Sequence, residues 1–129
     1  MIDHVTLTVS DFKRSRAFYD AALEPIGVSV LWEVAAEQSG AIPYVGYGRP
    51  PRPTFWIGAG PKVSGPMHIA FTAFTRGEVD AFYGAALAAG GHDNGPPGVR
   101  AHYAPNYYGA FIIDPDGNNV EAVCHATPT

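Results

Sequence analysis

Apolar positions along the chain first recur with a period of two. In residues 3–9, Val5, Leu7 and Val9 alternate with His4, Thr6 and Thr8, the pattern of a strand with one apolar face. Residues 67–73 repeat the pattern, with Ile69, Phe71 and Ala73 opposite His68, Ala70 and Thr72. The period then lengthens: Val79, Phe82, Tyr83 and Ala86 stand at i, i+3, i+4 and i+7, one face of a helix. Thr75 and Glu78 form a capping box ahead of it, and Asp11 is the matching N-cap candidate in the first half. Pro25 with Gly27, and Gly90 with Gly91, mark the helix ends. Further strands are predicted over 28–35, 43–48, 54–58, 99–103, 108–113 and 119–124. RPPRP at 49–53 and DPDGN at 114–118 read as turns, and HDNGPPG at 92–98 as a loop too rich in Pro, Gly and Asn for regular structure.

The two halves repeat each other at a constant offset of 64 residues, which carries His4 onto His68. AFYDAAL at 17–23 lies over AFYGAAL at 81–87, Gly27 over Gly91 and Tyr44 over Tyr108. Shared helix composition can match one such segment by chance. An unbroken offset through strand, helix and turn points to duplication of a βαβββ unit. Neither half covers both faces of its own sheet, so the expectation is a single α+β domain. It would pair module 1 (about 1–62) with module 2 (about 63–129) in one curved mixed sheet around a cavity, helices outside.

Composition narrows the function. The 129 residues carry 8 Lys and Arg against 12 Asp and Glu, a formal charge of −4, with the cations scattered. That leaves no footprint for nucleic acid and no polybasic arm for an anionic membrane. No apolar run approaches a membrane span, and MIDHVTLTVSD lacks a basic segment followed by a long apolar one, so no secretory leader is expected. The single cysteine, Cys124, excludes an intrachain disulfide, is expected to be a buried, inert thiol, and suits a reducing cytoplasm.

Three residues suggest metal chemistry. Taken singly, His4 and His68 each read as a hydrogen-bonded core histidine. At matched positions on the polar faces of the two first strands they read better as an imidazole pair facing one cavity. Glu121 lies between Val120 and Ala122 in the last strand; an isolated glutamate there reads as a solvated edge residue, but a buried one needs a partner, which a cation supplies. Two imidazoles and a carboxylate leave coordination positions open for a substrate. Thr6 shares the face of His4, Trp56 is a candidate for the first-half wall, and HYAPNYY at 102–108 gathers His102, Tyr103, Tyr107 and Tyr108. A tyrosine there could donate to an oxyanion or act as an acid, and alternation turns only one of Tyr107 and Tyr108 inward.

HVTLTVSDFKRSRAFY at 4–19, HIAFTA at 68–73 and DPDGNNVEAV at 114–123 resemble the vicinal-oxygen-chelate (glyoxalase, bleomycin-resistance and extradiol dioxygenase) superfamily over nearly the whole chain. The resemblance implies a divalent metal (Zn, Ni, Co, Mn or Fe) on His4, His68 and Glu121, edge-to-edge pairing of the modules, a homodimer and a small-molecule substrate. It implies a lyase, isomerase or transferase that stabilises an oxyanion. The alternatives are a non-catalytic antibiotic binder of the bleomycin-resistance type and an extradiol-type dioxygenase. The pattern departs from glyoxalase I, which has a fourth ligand, a glutamate in the last strand of module 1. The residue 64 positions before Glu121 is Ile57, which cannot ligate, and Glu33 and Glu37 are off register.

Overall fold

The computed structural model describes residues 2–35, 42–61, 65 and 67–128; Glu37 falls outside them. In chain order the elements are β1 (Val5–Val9), α1 (Phe12–Leu23), a 3-10 turn (Glu24–Ile26), β2 (Ser29–Val34), β3 (Tyr44–Arg49) and β4 (Arg52–Ala59). The second half follows with β5 (His68–Thr72), α2 (Arg76–Ala88), β6 (His92–Val99), β7 (Tyr108–Ile113) and β8 (Asn119–Cys124). Each half is thus βαβββ. Instead of one continuous curved sheet, the strands form two four-stranded mixed sheets, ordered β1-β4-β3-β2 and β5-β8-β7-β6. In each, the first strand runs parallel to the last and occupies an edge.

The helices start where the capping signals place them. The Asp11 side chain accepts from the Arg14 N–H, and the Thr75 hydroxyl from the Glu78 N–H at 3.1 Å. The Glu78 carboxylate reaches back to the N–H of Phe74, one residue ahead of the usual capping-box target. Gly27, at φ 77°, and Gly90, at φ 103°, supply the left-handed backbone that ends the helical segments.

One apolar core runs through both halves: Leu7, Phe18, Tyr19 and Leu23 from the first meet Phe82, Ala86, Ile112 and Val120 from the second. The junction is tight at Gly91. A Cβ there would lie 2.8 Å from Phe18 and 2.5 Å from Ile112, so any side chain would force α1 away from β7. Polar ties reinforce it. The buried Asp114 carboxylate accepts the Tyr19 hydroxyl at 2.5 Å, Asp116 accepts the Ser10 N–H at 2.8 Å and its hydroxyl, and Arg49 donates to the Thr72 carbonyl.

The second half departs from the sequence reading in one segment. Residues 92–99 form β6, although 92–98 reads as a loop, and of the strand expected over 99–103 only Val99 is in a strand, with 101–103 in turns. β6 is an edge strand whose pairing with β7 slips twice, between Asp93 and Gly95 and between Gly95 and Gly98. An edge tolerates Pro96 and Pro97, which have no N–H to donate, and the slips absorb Gly95 at φ 146°.

Candidate functional site

The two sheets each open a hollow on the face turned away from the core. In the first half, Asp3, His4, Thr6, Arg52, Pro53 and Trp56 line a hollow of about 440 Å³. In the second, His68, His102, Tyr103, Tyr107, Phe111 and Glu121 line one of about 430 Å³. Strand alternation explains the linings. In β8, Val120 and Ala122 point into the core while Glu121 points the other way; in β4, Phe55 and Ile57 are in the core and Trp56 faces outward.

At the centre of the second hollow lies a connected trio. The Glu121 side chain is only 1% exposed, against 53% for His68, whose Nε2 sits 2.7 Å from Glu121 Oε1. The Tyr107 hydroxyl donates to Glu121 Oε2. Burial first, and then the hydrogen bond and charge of Glu121, push the Tyr107 phenol well above the ordinary tyrosine range. Its hydroxyl thus stands as a hydrogen-bond donor to the Glu121 carboxylate. Phe111 pairs with Glu121 across β7 and β8 and floors the hollow, with its ring centroid 6.2 Å from that of His68.

His4 stands apart from this trio. It lies just before β1, and its Nδ1 is 2.7 Å from Asp3 Oδ1, an exposed pair in which the His4 contact holds the Asp3 carboxyl below its ordinary value. Within one chain, among the described residues, no three His, Cys, Asp or Glu side chains are grouped closely enough to hold a metal. The expected meeting of His4, His68 and Glu121 in one cavity of a single chain is thus not observed: the first residue lines one hollow and the other two line another.

The ladder also corrects the fourth-ligand position. In module 2, Ala70 pairs with Glu121; in module 1, the equivalent Thr6 pairs with Trp56, and Ile57 pairs with Leu7 in the core. The constant offset is one residue out at this strand, so an indole, not an isoleucine, stands where module 2 has its carboxylate. Tyr108 faces away from the hollow, its hydroxyl on Asp80 at 2.7 Å and its ring under Arg76. Cys124 is buried. Asp3, Arg52 and Phe111 were not foreseen as lining residues; Phe111 could be found only from the β7–β8 register, while Asp3 was signalled by its adjacency to His4.

The model of the Glyoxalase/Bleomycin resistance protein/Dioxygenase superfamily matches residues 1–122. The chain belongs to this superfamily. Among solved structures it is similar to a glyoxalase/bleomycin resistance protein from Albidiferax ferrireducens, at 30% identity and TM-score 0.71, over 96% of this chain and 98% of that one. It is also similar in fold to a mutant of the fosfomycin resistance protein FosX from Listeria monocytogenes, complexed with Mn(II) and 1S,2S-dihydroxypropylphosphonic acid. That likeness has 19% identity and TM-score 0.69, over 98% and 93% of the two chains. A glyoxalase I mutant from Zea mays gives TM-score 0.73 at 19% identity, this superfamily member covering 98% of itself but 45% of that longer chain. No curated protein matches the sequence. Among the described residues of this superfamily member, no helix is long and apolar enough to cross a membrane.

Proposed function

We propose that the protein is a metal-dependent enzyme acting on a small oxygenated molecule, with a divalent ion held by His68 and Glu121 of one chain and His4 of a second copy. The observation that carries this reading is the His68–Glu121 pair. A ring nitrogen and a buried carboxylate oxygen lie 2.7 Å apart at the floor of an open hollow. An imidazole and a carboxylate are the donor types that first-row divalent metals take, and a mostly exposed histidine over a fully buried carboxylate leaves room for further ligands. A bound ion would act there as a Lewis acid that polarises a substrate oxygen.

The rest of the work belongs to the chain's own side chains. Tyr107 orients Glu121 by occupying its second oxygen, the kind of support that fixes a ligating carboxylate. Phe111 and Tyr103 give the hollow an aromatic wall. His102 and Tyr103, both exposed at the mouth, are placed to donate hydrogen bonds to a developing oxyanion.

A second copy is required because His4 lies in the other hollow. The edges β1 and β5 each have one free side. A twofold dimer that sets β1 of one copy beside β5 of the other brings His4, Thr6 and Trp56 over the His68–Glu121 pair twice, giving two equal sites. The reading of a non-catalytic binder is favoured by two observations: both Glu121 oxygens already have protein partners, and Trp56 stands where a fourth carboxylate would be.

The test is metal analysis of the purified protein and of two variants, His4→Ala and Glu121→Gln. The expected result is about one ion per chain in the wild type and none in either variant. Mixing the two variants should then recover about a quarter of the sites, because half the dimers are mixed and each holds one intact site. No recovery on mixing would sink the shared site. A wild type that takes up no Mn(II), Zn(II) or Ni(II) at all would leave the binder.

A further inference from the structure

The hollow over Glu121 adjoins a second one. Asn94, Gly95, Arg100 and Asn119 line a space of about 280 Å³ that shares His102, Tyr103 and Phe111 with it. The shared residues form an aromatic wall: Tyr103 is 59% exposed and stands 5.0 Å, centroid to centroid, from Tyr107 and 4.2 Å from His102. A large ring so exposed at the mouth of a pocket offers a stacking surface.

Arg100 supplies the polar end. Its guanidinium lies 5.5 Å from the Phe111 ring centroid, and one of its nitrogens donates to the Pro96 carbonyl at 2.7 Å. Other arginines have acids: Arg52, in the first hollow, pairs with Asp3, and Arg16 with Asp20 and Glu33. Among the described residues Arg100 has no carboxylate within ion-pair distance, and it is the one cation lining the double hollow. A guanidinium has five donors in a planar fork, and the carbonyl uses only part of that capacity. The amide of Asn94, donating to Asn119 at 3.3 Å, adds polar groups on the same side.

Resting on the reading of the site given above, we propose that its ligand is a planar aromatic carboxylate. Its ring lies against Tyr103 and Phe111, its carboxylate meets Arg100, and its other edge, bearing oxygen, faces His68 and Glu121. Phe111 neighbours both ends: Arg100 lies over its ring, and Glu121 is its partner across β7 and β8, so the aromatic wall connects a cation that can pair a carboxylate with the His68–Glu121 pair.

Titration calorimetry of the whole protein, with benzoate, benzyl alcohol and acetate as probes, tests the assignment with and without Mn(II). Benzoate should bind at least about tenfold more tightly than either of the others, as expected for one charge-assisted contact added to a stacked ring. Arg100→Gln should erase the advantage over benzyl alcohol, Arg100→Lys should retain part of it, and Tyr103→Ala should weaken both ring compounds. Benzoate no tighter than benzyl alcohol, or an advantage that survives Arg100→Gln, overturns the proposal. Mn(II) uptake measured in the same samples separates the two readings. Uptake without benzoate preference overturns the ligand class alone; benzoate preference without uptake supports the slot and overturns the metal.

Discussion

Replacing Tyr107 by Phe removes one hydroxyl and tests the local electrostatics directly. The hydroxyl donates to a carboxylate that is 1% exposed, so water cannot readily take its place. Hydrogen bonds to a charged group contribute about 1.5–3 kcal/mol, and the half-buried phenol points to the lower part of that range. For a domain of this size, about 3–4 °C of melting temperature accompanies each kcal/mol, so the metal-free variant should melt about 5–8 °C below the wild type. The assay is reversible thermal unfolding of chelator-treated protein, followed by circular dichroism at neutral pH. A double-mutant cycle with Glu121→Gln should show coupling of about 1 kcal/mol or more, since a neutral amide oxygen accepts the same bond less strongly. A shift under about 1 °C, or strict additivity in the cycle, would refute the claim that Tyr107 holds this carboxylate in place.

Three other outcomes follow from the geometry. Gly46→Ala should cost about 1–3 kcal/mol and shift tryptophan fluorescence, because the new methyl would lie 2.9 Å from the Trp56 ring; adding Trp56→Ala should relieve most of that cost in urea titrations. Asp114→Asn should destabilise by about 2–3 kcal/mol in the same assay, since the carboxylate accepts bonds from Tyr19, Asp116 and both nitrogens of Asn118, and an amide NH₂ would face donors. Stability should also fall at alkaline pH. Burial, then the neighbouring carboxylate, raises the Tyr19, Tyr47 and Tyr107 phenols, so their contribution is complete below the ordinary tyrosine value of about 10 and is lost progressively as pH climbs from there towards the folded values. Urea midpoints unchanged between about pH 8 and pH 11 would contradict it.

How much of this was legible in the chain depends on the range of the interaction. Short-range signals were clear: Asp11 and Thr75 cap their helices, and the alternation around Val120, Glu121 and Ala122 matches which side chains enter the core. The β6 segment was misread because composition reports backbone preference, while an edge position and two register slips are tertiary facts. Conversely, residues 99–103 were expected as a strand, but His102 and Tyr103 stand in turns and line a hollow. The 64-residue offset located the repeat, yet a single-residue difference in β-ladder register exchanged Ile57 for Trp56, a distinction that pairing alone reveals. The separation of His4 from His68 was equally hidden, since equivalence in a duplicated sequence does not say which two modules share a seam.

The turn at 114–118 has a consequence beyond reversing the chain. Arg14 donates to the Pro115 carbonyl at 3.3 Å, Ser10 engages Asp116, and Tyr19 engages Asp114, so three residues from the start of the molecule grip the hinge from which Glu121's strand departs. The turn is thus a clasp between the two halves. A change that loosened that clasp would also disturb the strand that carries Glu121.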